Sequence, residues 1–97
     1  MNIVAVTACP TGIAHTYMAA EQLEKTARKL GHSIKVETQG AMGIENELSE
    51  QDIANAEAVI FAADIAVERE ERFDRLRQIK VSVQEAVKRP EAIFARL

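Results

Sequence analysis

Residues Ile3 to Thr7 form a short, almost continuous apolar run rich in β-branched side chains, the pattern of a parallel strand buried on both faces. From about Ala14 to Leu30 the period lengthens: Met18, Ala19, Leu23, Ala27 and Leu30 recur at helical intervals. Arg28 and Lys29 fall in the last turn of that helix, and Gly31 occupies the place of a C′ glycine. Ser33 to Thr38 alternates Ile34 and Val36 with polar neighbours, which predicts a second, more exposed strand at a sheet edge. Gly40 and Gly43 predict a loop after it.

A second helix is predicted from about Ser49 to Ala56, opened by a Ser-Glu-Gln-Asp string that supplies an N-cap and acidic side chains in the first turn. Ala58 to Ala63 is uniformly apolar and predicts a central third strand, ended by Asp64. Ile65 to Leu76 is charged apart from Ile65, Val67, Phe73 and Leu76 and reads as a short amphipathic surface helix. Ile79 to Val83 predicts the fourth strand. Ser82 and Glu85 then match the capping-box pattern of a last helix, which Pro90 either kinks or restarts from a first-turn position. Strands alternating with helices imply right-handed crossovers and an α/β fold whose parallel sheet is covered on both faces.

The turn between the first strand and the first helix holds the candidate chemistry. Val4 to Thr16 reads V-A-V-T-A-C-P-T-G-I-A-H-T, which sets the only cysteine, Cys9, after the strand and before a Pro-Thr-Gly turn. A helix start leaves backbone N–H groups without intrahelical partners and carries about half a positive charge, so anions are stabilised there. The same field favours the thiolate, the nucleophilic form of cysteine. A lone cysteine in an apolar stretch is more often a small core hydrophobe. Here its position at the carboxyl end of the first strand, near a strand-order switch, is where α/β sheets bind ligands.

Thr11, Gly12, Ile13, Ala14, His15 and Thr16 can each turn a backbone N–H toward phosphate oxygens, and Gly12 can take a positive φ in that turn. Pro10 has no N–H and stiffens the loop. The hydroxyls of Thr11 and Thr16 either bond to the phosphate or cap the helix. His15 is either a loop ligand or a capping or surface residue. Gln39 and Gly40 follow the second strand and Asp64 the third, so all three border the same end of the sheet. Asp64 either caps a turn or touches a partner.

Composition narrows the function classes. The chain of 97 residues is long enough for one domain, read as residues 1–97, with a modest core. One cysteine excludes an intramolecular disulfide, a dithiol couple and a multi-cysteine zinc site, which fits a reducing cytoplasm. No apolar run is long enough to cross a bilayer, and Met1-Asn2-Ile3 lacks the basic start of a signal peptide, so any membrane role is expected through a partner. A net charge of −3 without an aromatic-interleaved basic patch argues against nucleic-acid binding. No pattern calls for a metal.

The strings V-T-A-C-P-T-G-I-A-H-T-Y-M-A-A, V-E-T-Q-G-A-M-G-I-E-N-E-L and A-A-D-I resemble the IIB component of the fructose family of the bacterial sugar phosphotransferase system. The similarity is dense from Ile3 to about Phe73. It implies a three-layer α/β sandwich with a four-stranded parallel sheet of order 2-1-3-4 and a phosphate-binding loop after the first strand. It also implies that Cys9 is transiently phosphorylated by the phosphohistidine of a IIA component and passes the group to a fructose-like sugar bound in a membrane IIC component. The protein would then work without a cofactor in the cytoplasm, at the inner face of the membrane through IIC.

Two other classes compete. Low-molecular-weight tyrosine phosphatases have a cysteine loop of comparable length on a related α/β plan, with arginine where His15 stands. Arginine grips phosphate oxygens with a bidentate fork that histidine cannot replace, and the loop offers no candidate general acid. A redox module using a reactive thiol is the third class, and the missing resolving cysteine argues against a dithiol cycle.

Overall fold

The protein, described here as a computed structural model, is resolved into elements over residues 1–10 and 13–97, the Ile13 side chain excepted. β1 (Asn2–Ala8) leads through Cys9 and Pro10 toward α1 (Ile13–Lys29), followed by β2 (Ser33–Gly40) and a short β3 (Gly43–Glu45). α2 (Glu50–Ala54), β4 (Ala58–Ala63), a 3₁₀ turn (Glu70–Phe73), β5 (Arg77–Val81), α3 (Val83–Lys88) and α4 (Pro90–Phe94) complete the order. The sheet runs β3-β2-β1-β4-β5, with β1 parallel to both β2 and β4, and β4 parallel to β5.

The four parallel strands therefore follow the 2-1-3-4 order expected of the family, but the sheet has a fifth strand. β3 pairs antiparallel with the end of β2, Gly40 opposite Gly43, so the expected loop is a hairpin turned by Ala41 and Met42. Gly43 takes φ +85°, a conformation open to glycine and strained for other residues. Three residues are too few to show a strand's alternation, which is why the pattern reads as loop.

β2 also departs from the exposed edge strand expected. Val36, Glu37, Thr38 and Gln39 are all buried, because this half lies between β1 and β3 and is covered on both faces. Only Ser33 and Lys35 are exposed in the amino half.

Alternation along β1 divides the core. Ile3 and Ala5 face Ala19, Ala20, Leu23 and Ala27 of α1, joined by Ala86, Ile93 and Phe94 of α3 and α4. Val4, Val6 and Ala8 face the other way, onto Leu48, Ile53, Val67, Phe73 and Leu76. Each large side chain so buried contributes about 1.5–3 kcal/mol. On α1 the buried stripe excludes Met18 and Leu30, expected inside but 48% and 47% exposed. Met18 sits off the row formed by Thr16, Ala19, Leu23 and Ala27, which repeats every three to four residues along the buried face, and Leu30 lies just past the last residue of α1.

Helix ends follow the sequence chemistry. Gly31, at φ +81°, closes α1 with paired bonds from the Gly31 N–H to Arg28 O at 3.1 Å and from the His32 N–H to Ala27 O at 2.8 Å. Ser49 caps α2 and Ser82 caps α3, each in a reciprocal box, with Asp52 and Glu85 respectively. Pro90 restarts the chain as the first residue of α4. The expected strand Ile79–Val83 is displaced to Arg77–Val81, because the Ser82 cap already commits Val83 to α3. The expected helix Ile65–Leu76 is only the 3₁₀ turn, preceded by Arg69 at φ +59°. Tertiary bonds from Gln39 to the backbone of Glu68 outweigh local helix preference there.

Candidate active site

Cys9 directly continues β1 at the carboxyl edge of the sheet. Its N–H bonds to Gln39 O at 3.2 Å, and on the other side the Asp64 N–H bonds to Ala8 O at 2.9 Å, so both neighbouring strands hold the backbone at this point. β2 and β4 leave β1 in opposite directions across the sheet, which opens the crevice where open α/β sheets bind ligands. α1 begins four residues after Cys9, and the buried Thr7 hydroxyl donates to Thr16 O at 3.2 Å, fixing the first turn of the helix over β1. That turn contains no acidic residue, and Arg28 and Lys29 lie at the far end. The first feature leaves the positive end of the helix dipole unneutralised on the Cys9 side, and the second complements its negative end.

Cys9 is 3% exposed and lines a cavity of about 210 Å³ with Pro10, Gln39, Gly40, Ile65 and Glu68. Gly40 backs closely onto the first turn: a Cβ there would lie 3.6 Å from the Thr16 hydroxyl oxygen and 3.9 Å from Cys9 O, ordinary contact distances. Among the expected site residues, Pro10, Gln39 and Gly40 thus share the cavity with Cys9. Thr16 is buried beneath α1, whereas Ala14 and His15 are exposed on its first turn. Thr11, Gly12 and the Ile13 side chain lie outside the described residues, so the expected roles at those positions remain sequence readings.

Asp64 bonds to the start of a helix. Its Oδ1 accepts the Val83 N–H at 3.2 Å, adding to the Ser82 cap at the start of α3. Tyr17, exposed one residue after Thr16, donates its hydroxyl to Glu45 of β3 and so straps α1 to the hairpin. That bond, then burial, then the Glu45 charge raise the Tyr17 phenol above its ordinary value.

A charged cluster that the sequence reading missed adjoins the cavity. Glu37, fully buried, accepts the Arg72 fork with 2.9 Å to each oxygen, the Leu48 N–H at 2.9 Å and the Gln39 amide at 2.8 Å. Burial alone would raise the Glu37 pKa, but the bonds from Arg72, Leu48 and Gln39 outweigh it and hold the carboxyl below its usual range. The hint was a glutamate at a strand position on the same face as Gln39. Only the three-dimensional fold brings Arg72 to it. Among the described residues no group of three or more His, Cys, Asp or Glu could hold a metal ion, and no helix is long and apolar enough to cross a membrane.

Comparison with known proteins agrees with this geometry. Residues 4–96 match the family described as PTS system, Lactose/Cellobiose specific IIB subunit. The PTS system fructose-like EIIB component 2 of Escherichia coli (strain K12) is 52% identical over 96 residues, covering 99% of this chain and 91% of that protein. The PTS system 2-O-alpha-mannosyl-D-glycerate-specific EIIABC component of the same organism is 53% identical over 93 residues, 96% of this chain but 14% of that longer protein. The crystal structure of a domain from the fructose-specific IIABC component of Borrelia burgdorferi superposes with a TM-score of 0.92 at 52% identity, covering 97% of this chain and 89% of the other. Neither the phosphatase nor the redox reading survives identity of that extent. The chain belongs to the enzyme IIB family of the sugar phosphotransferase system, as a phosphoryl carrier and sugar phosphotransferase of the fructose-like branch.

Proposed function

We propose that Cys9 is the residue that carries the phosphoryl group, taking it from the phosphohistidine of a IIA component and giving it to a fructose-like sugar held by a membrane IIC component. The Cys9 thiolate attacks phosphorus in line. The S–P bond forms as the N–P bond of the donor breaks, and the departing imidazole keeps the electron pair and takes up a proton from solvent, matching the one the Cys9 thiol released there on ionising. In the second half-reaction a sugar hydroxyl forms the O–P bond, the S–P bond breaks and the thiolate returns. The hydroxyl proton passes to a base on the sugar-binding partner. Phosphoryl transfer needs positioning and charge stabilisation more than covalent assistance. The backbone N–H groups of Thr11 through Thr16 supply that stabilisation in our reading, with Pro10 stiffening the entry to the loop.

The observation that carries this proposal is the location of Cys9: it directly follows the central strand, lines the cavity and precedes the acid-free first turn of α1. The relative whose name joins A, B and C components supports IIA and IIC as the partners; in our reading the domain, residues 1–97, works in the cytoplasm at the inner face of the membrane. Two relatives of near-equal identity are named for different sugars, fructose-like and 2-O-alpha-mannosyl-D-glycerate, which supports assigning sugar choice chiefly to IIC.

Cys9→Ser tests the mechanism. A serine hydroxyl keeps the shape but stays protonated near neutral pH, so no thiolate attacks. With a phosphorylated IIA donor and labelled phosphate, the variant is expected to melt like wild type and take up no label. Undiminished labelling of the serine protein would sink the proposal.

A further inference from the structure

One wall of the Cys9 cavity is Ile65–Glu68, a segment after β4 without regular secondary structure. Such a segment owes its position to side-chain bonds. Gln39 holds both backbone groups of Glu68: its Oε1 accepts the Glu68 N–H at 2.8 Å, and its Nε2 donates to Glu68 O at 3.2 Å. The amide cannot be reversed, because Nε2 also donates to Glu37 Oε2 at 2.8 Å and an ionised carboxylate has no proton to give. Glu37 is fixed in turn by the Arg72 fork. The remaining Arg72 donors reach Arg69 O at 2.9 Å and Glu68 O at 3.2 Å. Successive same-face positions of β2 are thereby locked to a loop that lines the cavity of the reacting cysteine through Ile65, Ala66 and Glu68.

We propose that Glu37, Gln39 and Arg72 are positioning residues for phosphoryl transfer: together they hold the Ile65–Glu68 wall at a set place across the cavity from Cys9, so that an arriving phosphoryl group meets the sulfur in line. The proposal rests on Cys9 being the acceptor. Gln39 links the wall to the cavity directly, since it lines the cavity itself, and Glu37 and Arg72 act through it. In-line transfer is sensitive to such placement, an error of about 1 Å costing on the order of 10²-fold in rate. Charge-assisted and bidentate bonds suit this task because they fix direction as well as distance.

Two variants probe the network without emptying it. Arg72→Lys keeps the charge, but one ammonium cannot span both Glu37 oxygens and two loop carbonyls. Gln39→Leu removes the amide at similar size. Ile93→Val, in the core on the α1 face, serves as the control for small losses of stability. At a temperature where melting curves show every protein folded, single-turnover transfer from phosphorylated IIA is followed over a range of donor concentration. In parallel, iodoacetamide alkylation of Cys9, the only cysteine, is timed with no donor present.

Each network variant is expected to lower the saturating transfer rate by about tenfold or more, with the half-saturating donor concentration moving less than about threefold. Each is also expected to alkylate several-fold faster as the wall opens, while the control matches wild type in both measurements. A wild-type saturating rate in both network variants overturns the proposal. If the wild type itself accepts no phosphate, the carrier mechanism at Cys9 fails, and alkylation alone then decides: unchanged rates overturn the placement of the wall by this network, and faster rates uphold it.

Discussion

At the scale of single residues, Glu37 links the site to stability. Its carboxyl is held below the ordinary value of 4.5 in the folded chain, where burial is outweighed by Arg72, Leu48 and Gln39. A depressed carboxyl contributes stability that is fully present above the unfolded pKa and is lost as pH falls through the folded one. The melting temperature should therefore drop as pH is lowered from about 5 through the range beneath 4.5. Asp52, lowered chiefly by the Ser49 N–H and then by Lys35, adds in the same direction. Glu37→Gln removes only the Glu37 part, so its melting temperature should be lower at pH 7 and fall less steeply in acid. Parallel pH profiles for wild type and variant would show that the Glu37 pair contributes nothing to acid stability. None of this is visible along the chain: Glu37 stands among alternating residues that suggest a solvated face, and its partner Arg72 is 35 residues away.

At the scale of elements, the caps were the most legible part of the sequence, because a cap is a local bond between residues three apart. Ser82→Ala should cost about 1 kcal/mol by removing the acceptor for the Glu85 N–H. Asp64→Ala removes the bond from the Val83 N–H and should cost a smaller amount without slowing transfer from the donor. Thermal melts and transfer rates on the same preparations check both; a variant of Asp64 that melts normally but transfers slowly would return this residue to the partner surface. β1 and β4 were legible too, since burial on both faces leaves long apolar runs. Where the reading failed, the deciding contacts were distant in sequence. β3 exists because it pairs with β2, and the 65–76 segment is not helical because Gln39, 29 residues from Glu68, binds its backbone. The location of Cys9 was legible from strand, turn and helix in sequence; the wall opposite it was not.

At the scale of the molecule, a carrier must keep its phosphocysteine until it meets the next partner. From Cys9 to Thr16 the chain has no acid or base other than His15, which is exposed on α1. The phosphorylated protein, freed of donor, should therefore lose phosphate slowly to water and quickly once the matching membrane component and sugar are added. His15→Arg offers a phosphate fork but no base to activate water, so it should not turn over an aryl phosphate. Rapid hydrolysis in the wild type, indifferent to partner and sugar, would contradict a carrier role. The same strand order bears on how the chain is made. Among the strands of this sheet β1 is synthesised first yet lies in the middle, bonded to β2 on one side and β4 on the other. On a ribosome adding about 5–20 residues per second, several seconds separate the emergence of β1 from that of β4, during which one edge of an apolar strand has no native partner. The nascent chain thus passes through an interval of exposure to aggregation and chaperones that ends only when β4 docks, and the same event completes the backbone support of Cys9.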